Sequence, residues 1–211
     1  MEVAMTETRF STATEALTAL TRVVPDFPSP GVTFGDLTPV LADPDGFRVV
    51  VDDLAAAVGE CAPDLVAGLD ARGFLVGSAV ARALGTGILA VRKAGKLPPP
   101  VHHEDYALEY GTAALEIPAS GVPLEGRRVV LVDDVLATGG TMAASRALLE
   151  RAGAVVCGLA VVLEVPGLGG RDRFPDLPLY VAGDRDDDRP GAVGATAVRD
   201  TTLTRSEETH L

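Results

Sequence analysis

The sequence predicts an α/β fold with a mostly parallel central sheet flanked by helices. Three observations lead there. Short, almost continuously apolar runs alternate with stretches of helical periodicity, the pattern of strands buried on both faces by crossover helices. Apolar residues make up 47% of the chain but aromatics only 4%, with no Trp, so a Val, Leu and Ala core is expected. The run Val129–Val132 leads into Asp133 and Asp134, then a small-residue loop and a helical stripe, the strand–loop–helix order of open α/β sheets. At 211 residues the chain has the length of one domain, since about 100–200 residues make one.

The elements follow in order. Thr12-Ala13-Thr14-Glu15 is a capping-box pattern, and Leu17, Leu20 and Val24 continue it as a helix to about Val24. Three prolines and Gly31 then make 25–31 a rigid, non-helical segment. Asp43-Pro44 reads as an N-cap with Pro at N1, and Phe47, Val50, Val51, Leu54 and Val58 form the buried stripe of the next helix. Asp64–Leu69 reads as a strand, Val76, Val80 and Leu84 as a helix, and Ile88–Val91 as a strand. Pro98–Asp105 is too polar and Pro-rich for core and reads as a loop. Tyr106–Tyr110 and Ala113–Ile117 read as strands flanking a turn at Gly111. Arg128–Val132 is a strand, Ala144, Leu148 and Ala152 mark a helix ending near Gly153, and Ala154–Leu163 and Leu179–Ala182 are the last strands. Residues 1–183 are read as one domain. Residues 184–211 hold seven acids, four bases and no aromatic, too little apolar surface to offset ordering, and read as a flexible tail.

Composition excludes several classes of function. Thirty acids against 18 Lys+Arg give a net charge of −12, the opposite of a nucleic-acid-binding footprint. No apolar run reaches the roughly 18 residues of a membrane span. The Thr-rich N-terminus shows no basic and apolar signal-peptide regions, and Cys61 and Cys157 sit in apolar stretches as buried thiols, so a cytoplasmic protein is expected. The only two lysines, Lys93 and Lys96, fall beside Arg92, which concentrates positive charge in one short segment of an acidic chain.

The chemistry concentrates in 129–141. Ala137, Thr138, Gly139, Gly140 and Thr141 place free N–H groups and hydroxyls at a helix N-terminus, which is an anion site, most often for phosphate. Two carboxylates beside a phosphate repel it, so Asp133 and Asp134 must serve another part of the same ligand. Vicinal sugar hydroxyls fit, because each can donate to a carboxylate. The joint reading is a ribose-5-phosphate cradle. The P-loop pattern is absent, since Gly95-Lys96 is followed by Leu97. The adjacent histidines of His102-His103-Glu104 lack a fixed ligand geometry, and no protein metal site is read there.

This run resembles the phosphoribosyl pyrophosphate (PRPP) motif of the type I phosphoribosyltransferases. Pro25-Asp26-Phe27-Pro28-x-Pro30-Gly31-Val32-x-Phe34-x-Asp36, Gly68-x-Asp70-Ala71-Arg72-Gly73-Phe74, Val91-Arg92-Lys93-x-Gly95-Lys96-Leu97-Pro98 and Tyr106-x-Leu108-Glu109-Tyr110-Gly111 resemble the adenine phosphoribosyltransferase family in order and spacing, over about residues 12–182. The resemblance implies a type I phosphoribosyltransferase fold with a small N-terminal hood and a mobile β lid. It implies that adenine and PRPP give AMP and pyrophosphate in purine salvage, with Mg²⁺ held mainly through PRPP. It places Ala137–Thr141 on the 5-phosphate and Asp133 and Asp134 on the ribose. A pyrophosphate loop with a cis peptide at Asp70–Ala71 is implied, with Arg72 reaching the pyrophosphate and Arg92, Lys93 and Lys96 adding charge. Thr33, Phe34 and Gly35 would recognise adenine, with Val135 on its other side; the family usually carries a basic residue where this chain has Gly35. Glu109, with Tyr110 beside it on the lid, matches the family's acid/base residue acting at N7. The family forms homodimers.

Two alternatives have discriminators. A 6-oxopurine transferase, for xanthine or hypoxanthine, requires the opposite hydrogen-bond polarity in the base pocket. A PRPP-sensing regulator requires a partner-binding region and often lacks the lid Glu, whereas this chain keeps Glu109.

Overall fold

In a computed structural model, the structure describes residues 8–27, 30–107 and 112–184. The tail after Asp184 and the lid residues Glu109 and Tyr110 lie outside the described residues. A seven-stranded sheet forms the centre. Its strands are β3 (Leu65–Leu69), β4 (Gly87–Lys93), β5 (Val101–Ala107), β6 (Thr112–Pro118), β7 (Arg128–Leu136), β8 (Val155–Glu164) and β9 (Leu179–Val181), in the order β5-β6-β4-β3-β7-β8-β9. The run β4-β3-β7-β8-β9 is parallel, and β6 joins β4 and β5 antiparallel. β1 (Arg22–Val24) and β2 (Phe34–Asp36) form a separate antiparallel pair, the expected hood.

Helices cover both faces of the sheet. Beneath α3 (Pro44–Gly59) and α4 (Gly73–Leu84), Val50, Leu54, Val76 and Val80 meet Val66, Val130, Val132 and Ala160. On the other face, α5 (Gly140–Arg151) sets Leu148 and Leu149 against Ala67, Leu131, Leu159 and Val161. Val129 and Leu131 face one core and Val130 and Val132 the other, which is why these strands read as unbroken apolar runs.

The caps expected from sequence are present. Thr12 Oγ1 accepts from Glu15 N–H at the start of α1 (Ala13–Leu20), while the Glu15 carboxylate accepts from the Ser11 N–H and hydroxyl. Asp43 accepts from the N–H groups of Asp45 and Gly46, with Pro44 in the first turn of α3. Cys61 and Cys157 are buried free thiols, and burial pushes Cys157 up from the ordinary thiol range.

Three expectations need correction. The first helix ends at Leu20, not near Val24. Thr21 turns extended, and Arg22–Val24 pair with Phe34–Asp36, closed by an Arg22–Asp36 ion pair at 2.8 Å. β-branched Val23 and Val24 before Pro25 suit an edge strand better than a last helical turn. The segment read as a loop at 98–105 becomes β5 from Val101 onward. It is the outermost strand, where polar side chains are tolerated, and Arg151 at the end of α5 anchors it through Glu104 and the His103 carbonyl. Finally, β7 runs through the two acids to Leu136, because β8 continues to pair beyond them, Asp133 with Val161 and Leu136 with Glu164. A short helix, α2 (Thr38–Ala42), was not expected from sequence.

Candidate active site

From β3 the chain crosses through α4 to β4 on one side, and from β7 through α5 to β8 on the other. The order reverses between β3 and β7, and the crevice beyond their carboxyl ends is where open α/β sheets bind ligands. The loop after β3, Asp70-Ala71-Arg72, and the loop after β7, Ala137–Thr141, flank it. The Asp70–Ala71 peptide is cis, as the resemblance implied.

Two cavities share this crevice. A concavity of about 90 Å³ is lined by Asp133, Val135, Leu136 and the whole run from Ala137 to Met142. Gly139 has φ +76°, a left-handed conformation that suits glycine, and caps α5, a helix whose first N–H groups have no partner within the helix. Beside it, a cavity of about 610 Å³ is lined by Asp70, Ala71, Arg72, Lys93, Tyr106, Ala113, Leu115, Asp133, Asp134 and Thr141. Asp133 and Thr141 line both, so the small concavity opens into the larger one, whose volume suits a small-molecule ligand.

Arg72 organises the middle of the site. Its Nε lies 2.7 Å from Asp134 Oδ2, and its guanidinium stands over the Phe34 ring, 5.6 Å from the centroid. The hood strand β2, the loop after β3 and the acids of β7, far apart in sequence, are thereby joined. Asp134 is 6% exposed and its Oδ2 has the Arg72 charge but no aligned hydrogen-bond donor among the described residues. Burial, and then the Asp134 carboxylate beside it, push Asp133 well above the usual carboxylate range. A buried carboxyl with its proton affinity raised in this way, set in a crevice, is typical of sites that bind or transform a ligand.

The other candidates take distinct places. Arg92 is paired to Asp70, Nε to Oδ2 at 3.0 Å, and stacks on Phe74 at 5.4 Å. Lys93 lines the larger cavity, and Lys96 is exposed in the turn after β4. Phe27 meets the Phe34 ring edge-on at 5.2 Å. Thr33 is exposed at the start of the hood strand. At Gly35 a β-carbon would lie 3.1 Å from Leu163 Cδ1 and 3.6 Å from Thr21 Cγ2, so β8 and the end of α1 already fill that space. Val135 is half-buried on the small concavity. His103 on β5 faces Asp105 at 3.0 Å and Glu116 at 3.5 Å, and hydrogen bonding to Asp105 raises its pKa. Sequence reading did not single out Tyr106 and Leu115 as cavity walls, because nothing local distinguishes them from sheet residues.

The family model described as the phosphoribosyl transferase domain matches residues 49–180, so the chain belongs to the phosphoribosyltransferase family. An adenine phosphoribosyltransferase of Corynebacterium jeikeium is 68% identical over 174 residues, 82% of this chain and 84% of that protein. One from Rhodococcus jostii is 62% identical over 80% of this chain and 94% of its own. Within the family, the chain's place is among the adenine phosphoribosyltransferases. Among solved structures, the enzyme of Rhodothermus marinus superposes with a TM-score of 0.74 at 43% identity, covering 80% of this chain and 96% of that one. The Saccharomyces cerevisiae enzyme, solved with an imino-altritol bisphosphate and adenine, gives 0.75 at 35% identity over 80% and 97%.

Proposed function

We propose that the crevice between the loops after β3 and β7 binds PRPP and adenine together, and that each loop handles one part of the transfer. The chain is an adenine phosphoribosyltransferase in function, making AMP and pyrophosphate in purine salvage. Ala137–Thr141 hold the 5-phosphate through backbone N–H groups and the Thr138 and Thr141 hydroxyls. Asp133 and Asp134 accept the ribose hydroxyls. Ala71 and Arg72 face the pyrophosphate, with Lys93 on the same cavity and Arg92 and Lys96 adding charge nearby. Thr33 and Gly35 offer main-chain groups to adenine, Phe34 packs on its ring and Val135 closes the other side. The C1–oxygen bond to pyrophosphate breaks and a C1–N9 bond forms, while adenine loses one proton. Glu109 manages that proton at N7, with Tyr110 beside it on the lid.

A divalent cation fits these residues. Mg²⁺ prefers oxygens and keeps waters and substrate phosphates among its ligands, and Asp134 Oδ2 is a buried carboxylate oxygen without an aligned donor. It would be held mainly by PRPP, with Asp70, Asp133 and Asp134 the carboxylates that line that cavity. When bound it neutralises charge on the departing pyrophosphate. The chain works in the cytoplasm, a reading supported by its two free thiols, and as a homodimer. Exposed Leu75 on α4 and Ile88 on β4 support the dimer, because among the described residues β6 pairs β4 only at Arg92 and Lys93 and the rest of that edge is unpaired.

One observation carries the assignment of the site: two carboxylates and a glycine loop within the stretch 133–141, opening into a cavity lined by Arg72, whose guanidinium pairs with Asp134 and stands over Phe34. The test is pyrophosphate release from PRPP and Mg²⁺ with adenine, hypoxanthine, guanine or xanthine, using wild type and Glu109→Ala. Release with adenine, strongly reduced in the variant, is expected. Equal release with a 6-oxopurine overturns the assignment of the base pocket, and tight PRPP binding without release from any base makes the chain a PRPP sensor.

A further inference from the structure

Outside the crevice, a turn that belongs to none of the reacting segments lies against the back of the phosphate loop. After β8 the chain turns away at Val165, whose N–H donates to the Leu136 carbonyl at 2.8 Å, and returns as one 3-10 turn at Arg171–Arg173. A β-carbon on Gly170 would stand 2.2 Å from the Ala137 carbonyl oxygen, so the two backbones touch with no room for a side chain. A β-carbon on Gly139 would stand 3.0 Å from Arg173 Cδ, 3.0 Å from the Gly170 carbonyl oxygen and 3.2 Å from the Phe174 ring. The turn is itself held. Arg171 pairs with Glu164 at 2.8 Å and Asp184 at 3.5 Å and donates to the Leu179 carbonyl. Asp176 is gripped by both terminal nitrogens of Arg146 on α5, at 2.9 and 2.5 Å. Phe174 is buried in the same core as Leu136 and Met142, which bracket the loop in sequence.

Ala137 and Thr138 are exposed, so the loop has protein on one side only. Its left-handed Gly139 lacks a side-chain cap. On its buried side the loop rests against this turn. We propose that the Gly170–Phe174 turn is a positioning element for the 5-phosphate. Gly170 fixes the Ala137 carbonyl, and the Arg173 stem and Phe174 ring form the surface on which Gly139 rests. The proposal rests on Ala137–Thr141 being the phosphate loop.

The test titrates ribose 5-phosphate calorimetrically into wild type, Gly170→Ala, Arg173→Ala, Arg173→Met and Thr141→Ala, and measures KM for PRPP and adenine and thermal melting for each. Gly170→Ala is expected to weaken ribose 5-phosphate and raise KM for PRPP about tenfold, with KM for adenine within about twofold. Arg173→Ala is expected to weaken ribose 5-phosphate about threefold, and Arg173→Met to recover wild-type binding, because it restores the stem without the charge. Should Gly170→Ala fail to fold, the Arg173 pair still decides. Arg173→Met binding as poorly as Arg173→Ala overturns the proposal in favour of direct contact by the cation. Both KM values rising together with a lowered melting temperature overturn it in favour of a general structural role. Thr141→Ala separates the two readings: wild-type affinity there removes the phosphate loop itself, whereas weak binding there with wild-type affinity in Gly170→Ala removes only the positioning turn.

Discussion

Gly73→Ala sets two opposed effects against each other at the junction of α4 and β7. Alanine in place of glycine in a helix gains up to about 1 kcal/mol from propensity and from a less flexible unfolded chain. At Gly73 the new β-carbon would lie 2.8 Å from Asp133 Oδ1, 2.8 Å from the Val132 carbonyl oxygen and 3.1 Å from Asp133 Cα. Ordinary contact begins at 3.4 Å, so α4 and β7 must part by roughly half an ångström, and two of the three obstacles are backbone. Overpacking of this kind costs about 1–3 kcal/mol, which exceeds the propensity gain. The net loss of up to about 2 kcal/mol lowers the melting temperature by about 2–8 °C in a domain of this size. The displaced groups are Asp133 and the start of the helix that follows Arg72, so kcat/KM for PRPP should fall at least about tenfold. Gly59→Ala is the control. It also lies in a helix, but its β-carbon would meet Leu84 Cδ2 at 3.4 Å, an ordinary contact, so stability should stay level or rise by up to about 1 kcal/mol. The assay is thermal and urea unfolding of both variants beside PRPP kinetics. A Gly73→Ala protein that melts at or above wild type, or equal losses in the two variants, would refute the close-approach argument.

Arg72→Ala removes the partner of Asp134 and the cation over Phe34; because Arg72 is 41% exposed, stability should fall by only about 1 kcal/mol. Steady-state kinetics should nevertheless show kcat lower by about 10²–10³, without rescue by Arg72→Lys, which cannot span both contacts. Glu109→Ala should lower kcat by about 10²–10⁴ while PRPP affinity by calorimetry is retained; a lost affinity would make it a binding residue instead. Asp133 has a folded-state pKa above its unfolded value, so over that interval the folded state holds the extra proton. Its contribution to stability therefore declines as pH rises from about 4 toward about 8. Urea unfolding of the ligand-free protein between pH 5 and 9 should show this decline in wild type and a flatter profile in Asp133→Asn; parallel profiles would remove Asp133 as the source.

What could be read from the sequence was whatever sits on contiguous residues. The caps at Thr12 and Asp43 are decided within one helical turn by side chains and N–H groups two or three residues apart. That 133–141 would line a concavity was legible because carboxylates, glycines and hydroxyls follow one another across the end of β7 and the start of α5. The parallel sheet was legible because burial on both faces leaves no polar alternation to find. Errors came where a local pattern was ambiguous and distant contacts chose. Val24 falls on a helical spacing, but pairing with β2 makes it a strand. The residues from Val101 read as loop until β6 and α5 cover one side of them.

Tertiary structure alone decided the charge pairing. Four cations were expected near the pyrophosphate, yet folding pairs Arg72 with Asp134 and Arg92 with Asp70 and leaves Lys93 to line the cavity. It also put the Gly170 turn behind the loop Ala137–Thr141, a contact between residues more than thirty positions apart in the chain. The sequence determined which chemical groups the site contains, since neighbouring residues share one backbone geometry. Their partners depend on how separate strands are ordered in the sheet, and that order is set by burial summed over the whole core, which no short segment carries.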